Sequence, residues 1–117
     1  MNTEELDQMP YGLYRTARPA GSEPVPEGYE VAEGHFEAAV QAYEAERWLE
    51  AAEGFVAAAD ATPRGGPHGS TLAANRTAAY RNAVSAWKMA RDTESARRAL
   101  GPRLADDIEC QPHVKLP

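Results

Sequence analysis

At 117 residues the chain is long enough for one domain with a modest core and too short for two. Its net charge of −6 argues against nucleic acid as a partner, because that affinity comes mainly from neutralising phosphates. A single cysteine, Cys110, excludes an internal disulfide, and no apolar run approaches the length of a membrane span. The start, Met1-Asn2-Thr3-Glu4-Glu5-Leu6-Asp7, has neither the basic nor the apolar region of a signal peptide, so a cytoplasmic location is expected.

Residues 1–26 open with a possible helical turn, Thr3 to Met9, and then pass Pro10, Gly12, Pro19, Gly21, Pro24 and Pro26, which forbids a long helix. Tyr11, Leu13 and Tyr14 are nevertheless too apolar for a plain solvated tail. This N-terminal arm is expected to lie on something, either the apolar flank of the first helical hairpin or another chain.

A first long helix is predicted from Pro26 or Glu27 to about Glu46, with Tyr29, Ala32, Phe36, Val40 and Tyr43 forming its apolar stripe. A second follows to a point before Pro63, carrying Trp48, Ala51, Ala52, Phe55, Val56 and Ala59. After the loop Arg64-Gly65-Gly66-Pro67-His68-Gly69, either Ser70 or Thr71 is placed to cap a third helix that runs to about Arg91, with Leu72, Tyr80, Ala83, Val84 and Trp87 inward. Asp92 or Thr93 caps a fourth helix holding Ala96, Ala99 and Leu100, which Gly101-Pro102 is expected to break or kink. Residues 109–117 read as an extended tail, so the helical domain is placed at 27–107 and the tail at 108–117. Much of the apolar content is alanine, which lets helices approach closely but buries little area. The few large side chains must therefore anchor the packing: Phe36, Val40, Tyr43, Trp48, Leu49, Phe55, Val56, Leu72, Tyr80, Val84, Trp87 and Leu100.

One phrase occurs twice. Phe36-Glu37-Ala38-Ala39-Val40-Gln41-Ala42-Tyr43 returns as Tyr80-Arg81-Asn82-Ala83-Val84-Ser85-Ala86-Trp87, with an aromatic, an Ala-Val pair and a second aromatic on one helical face. The first copy is followed by Ala51-x-x-x-Phe55 and Pro63, the second by Ala96-x-x-x-Leu100. In these positions, across about residues 29–105, the chain resembles the tetratricopeptide repeat (TPR) family. It departs from that pattern at Val40 and Val84, where the family prefers a small residue, at Pro102, which comes early, and in a spacing of 44 residues against about 34. The resemblance implies an all-α fold of two tandem antiparallel hairpins, four main helices in all, with a concave surface for binding another protein. An unrelated four-helix bundle with aromatic anchors is the alternative architecture.

In such a fold the first helices of successive hairpins lie side by side. That pairs Glu37 with Arg81, Gln41 with Ser85 and Glu44 with Lys88, a polar groove suited to a peptide or helix of mixed charge. The same residues serve equally as surface ion pairs joining the hairpins. One subgroup of the family grips a terminal carboxylate with Lys and Asn, and Asn75-Arg76-Thr77-Ala78-Ala79-Tyr80 resembles its second-repeat part, but the first helix offers no basic partner.

No catalytic constellation stands out. The Gly-rich loop before the third helix lacks the lysine and the preceding strand of a phosphate-binding loop. Cys110-Gln111-Pro112-His113 offers two metal-ligand types without a second pair. The expected function is therefore non-catalytic, an adaptor without cofactor or metal that binds another protein or peptide. Residues 1–63 carry 13 acids against 3 bases and residues 64–117 carry 5 against 9. These oppositely charged ends, with the arm residues Tyr11, Leu13 and Tyr14, support the other expectation, a structural subunit of a homo-oligomer or larger assembly.

Overall fold

Two turns of one kind divide the helices into pairs. In a computed structural model that describes residues 12–21 and 23–110, α1 spans Tyr29–Glu44, α2 Trp48–Ala61, α3 Gly69–Met89 and α4 Thr93–Cys110, and no strand occurs among the described residues. After α1, Glu46 turns into the left-handed region at φ 62°, Glu46 N–H bonds to Tyr43 C=O and Arg47 N–H reaches back to Ala42 C=O at 2.9 Å. After α3 the pattern repeats: Arg91 has φ 60°, its N–H bonds to Lys88 C=O, and Asp92 N–H reaches Trp87 C=O at 2.8 Å. Both are Schellman closures, which satisfy the last carbonyls of a helix and reverse the chain within three residues.

The first turn folds α2 back along α1. Phe36 meets Phe55 edge to face at 5.3 Å, and Tyr43 meets Trp48 in the same way at 5.0 Å. Between these pairs the backbones come close enough that a Cβ on Gly54 would lie 2.9 Å from Ala39 Cβ, so the alanines and this glycine set the spacing of the helices. α2 packs on α3 over its other side and α4 packs more lightly on α3, so the core runs continuously from Phe36 to Leu100.

Several expectations need correction. α1 starts at Tyr29 because Gly28, at φ 95°, cannot be part of a right-handed helix, and Tyr29 N–H closes a turn onto Pro26 C=O instead. α3 starts at Gly69, so neither Ser70 nor Thr71 caps it. The residue at the cap position is His68, which makes no side-chain cap; its ring is buried and bonds through Nε2 to the Glu23 carbonyl at 3.1 Å. Of the break or kink expected at Pro102, the break does not occur: α4 continues through it to Cys110. Proline frees only the carbonyl four residues earlier, here on exposed Arg98, where water can satisfy it. Leu49 is no anchor, being 52% exposed at the edge of an open cleft that Trp87 and Ala99 also line. Asp92 does cap α4, accepting Ser95 N–H at 3.1 Å and the Ser95 hydroxyl at 2.7 Å.

Candidate peptide-binding groove

α3 is buried almost all round although it is not an apolar helix. α2 covers one side and α4 another, and a third carries Asn75, Asn82 and Ser85, all buried. Spacings of seven and three residues put these side chains on one strip, separated by the small Ala78 and Ala79. A buried amide that lacks partners costs about 1–3 kcal/mol for each group left unsatisfied. Here the partners are supplied by the arm.

Residues 12–21 run along this strip without helix or strand of their own. Asn82 Oδ1 accepts Tyr14 N–H at 2.6 Å and Asn82 Nδ2 donates to Tyr14 C=O at 2.9 Å. Asn75 repeats the arrangement on Ala17, accepting its N–H and donating to its C=O, both at 2.8 Å. Ser85 Oγ accepts Gly12 N–H at 3.0 Å and shares a 2.9 Å hydrogen bond with the Tyr43 hydroxyl from α1. The arm thus runs antiparallel to α3, and the repeat distances agree. Seven residues of α-helix rise about 10 Å, and three residues of extended chain advance about 10 Å. Each asparagine treats one residue as a neighbouring strand would, and among the described residues its partners are main-chain atoms.

Side chains add a second layer. Leu13 packs against the core, and the Arg81 guanidinium lies over the Tyr14 ring at 5.3 Å. Thr16 faces a small cleft of about 20 Å³ lined also by Tyr29, Phe36, Thr62, Asn75 and Ala79. Arg18 pairs with Glu30 at 3.2 Å and Glu33 at 3.8 Å and sits over the Tyr29 ring at 5.3 Å. The hydrogen bond to Glu30 holds the Arg18 pKa above its ordinary value. Burial, then the 2.9 Å hydrogen bond to Glu33, raises that of the Tyr29 phenol.

The predicted site residues separate in this geometry. Arg81 and Ser85 touch the arm, as do Leu13 and Tyr14 from within it, whereas Tyr11 lies outside the described residues. Glu37, Gln41 and Glu44 are exposed on α1 and Lys88 is buried on α3. No ion pair joins Glu37 to Arg81 among the described residues, and the α1 residue that reaches Ser85 is Tyr43, not Gln41. The arm lies on the strip of α3, which offers the amides that a bare backbone needs, and through Thr16 and Arg18 it also reaches α1 of the first hairpin. Asn75 meets the Ala17 peptide unit and not a carboxylate. The signal for this site was present in the sequence as two asparagines seven residues apart inside a helix, where asparagine is a poor helix former and needs another reason to be there.

Among the described residues no group of three or more His, Cys, Asp or Glu side chains is placed to hold a metal ion, and no helix is long and apolar enough to cross a membrane. His113 lies outside the described residues. No family model, curated protein or solved structure matches the chain.

Proposed function

We propose that this protein is a non-catalytic recognition module, built of two tetratricopeptide-like hairpins, that binds an extended segment of another protein along the Asn75, Asn82 and Ser85 strip of α3. The observation that carries this reading is the paired asparagine grip. Two side chains in register with an extended backbone form a receptor for a peptide main chain, and the arm occupies it as a ligand would. Main-chain hydrogen bonds supply affinity without selecting sequence, while the Leu13, Tyr14 and Arg18 contacts supply choice.

The test is selection of a displayed random-peptide library on the full chain, where multivalent display retains weak binders. Selected peptides are expected to lose binding to the Asn75→Ala, Asn82→Ala double variant at matched circular dichroism. Peptides bound equally by both chains would remove the groove from consideration.

A further inference from the structure

We propose that residues 13–18 are a resident copy of the ligand's recognition sequence, and that the groove selects extended peptides carrying an apolar residue, an aromatic directly after it, and a cation four residues beyond the aromatic. This inference rests on the recognition reading above and states what the recognised peptide must look like. Leu13 enters the edge of the core, the Tyr14 ring lies beneath Arg81, and Arg18 stands between Glu30 and Glu33. Arg15 and Ala17 have exposed side chains, so those two positions are free to vary while the Ala17 peptide unit is still held by Asn75. Charge favours a separate peptide with a cation at the last of these positions as occupant, because Glu30 and Glu33 of α1 stand together there and α3 itself carries no acidic residue. A partner bearing this pattern does not find an empty groove. The arm is tethered to α1 through about ten residues, and a short tether gives an effective concentration in the millimolar range. The apparent affinity for any competitor is reduced by the fraction of molecules whose groove is open.

The probe is a fluorescent synthetic peptide with the sequence of residues 10–21, titrated by polarisation into the full wild-type chain and into the full chain carrying Leu13→Ala and Tyr14→Ala, which weaken the resident arm and leave α3 intact. The variant is expected to bind the peptide at least tenfold more tightly than the wild type. A peptide with Ala-Ala for Leu-Tyr is expected not to bind, and one with Glu in place of the Arg18 equivalent to bind several-fold more weakly, with a gap that narrows as salt rises. If the double variant loses its helical circular dichroism, Arg18→Glu, at an exposed ion pair, releases the arm instead. Equal binding by wild type and variant would show that the peptide binds away from the arm's groove, and no binding by a folded variant would show a fixed strap; either result overturns the proposal. If all three peptides bind alike yet Asn75→Ala, Asn82→Ala abolishes binding, the recognition pattern is wrong and the groove stands. If the asparagine variant binds unchanged, both fall. A wild-type dimer dispersed by the peptide would identify the occupant as the arm of a second copy and overturn the assignment to a separate partner.

Discussion

Gly54 shows how a single position sets the distance between two helices. On propensity alone, Gly54→Ala in the interior of α2 gains about 1 kcal/mol. The added methyl would stand 2.9 Å from Ala39 Cβ and 3.4 Å from its Cα, and neither atom belongs to a side chain that can swing aside. Relief requires moving α1 away from α2, at a cost of about 1–3 kcal/mol. The packing cost wins, and urea denaturation of Gly54→Ala is expected to show a lower midpoint than wild type. An unchanged or higher midpoint would mean that the helices separate freely at this contact. Asn82 makes the opposite point: it has no exposed surface, and its amide is tolerated there only because Tyr14 presents both a donor and an acceptor.

At the level of elements, the two Schellman turns place Glu46 and Arg91 at positive φ, a conformation that costs a side chain with a Cβ about 1–2 kcal/mol. Both residues are exposed. Glu46→Gly and Arg91→Gly are each expected to stabilise the fold by about 0.5–1 kcal/mol after the greater unfolded-state freedom of glycine is deducted. Equilibrium denaturation checks this, and destabilisation by either change would show that the side chain, not the backbone, holds the turn. The start of α4 depends on a charge. The hydrogen bonds from the Ser95 side chain and backbone hold the Asp92 carboxyl below its ordinary pKa. Because the folded value is depressed, the cap's contribution is present above the unfolded pKa of about 3.9 and is lost as pH falls through the folded one. Acidification below about pH 4 is therefore expected to expose the Ser95 amide to hydrogen exchange before the α1–α2 amides, and Asp92→Asn, which keeps an acceptor, to remove that pH dependence. Protection of Ser95 that does not change with acid would contradict the role.

Across the whole molecule, charge explains less than it promised. The ion pairs Arg47 with Glu50 and Arg97 with Glu94 are local, three residues apart and exposed, and such pairs contribute at most about 1 kcal/mol each. What organises the molecule is α3, whose three covered sides bring α2, α4 and the arm together. The helices and most anchors were legible because 3.6-residue periodicity survives in a single sequence: Phe36, Phe55, Val84 and Leu100 were predicted inward and are buried. Leu49 was misread because a hydrophobic residue at a helix start fits either face. Of the break or kink read at Pro102, the break is absent, because the cost of proline depends on whether water reaches the freed carbonyl. The groove was half legible. Arg81, Ser85, Leu13 and Tyr14 were singled out, but Asn75 was considered only as a carboxylate ligand and Asn82 was passed over. By itself the sequence determined the all-helical class, the hairpin pairs and the apolar strip of each helix, since these depend on neighbours within a few residues. Only the tertiary structure decided what lies on the third side of α3, because Gly12 and Ser85, or Ala17 and Asn75, meet across 73 and 58 residues. The hydrogen bonds that join them use the arm's main chain, which every sequence shares and no pattern of side chains records.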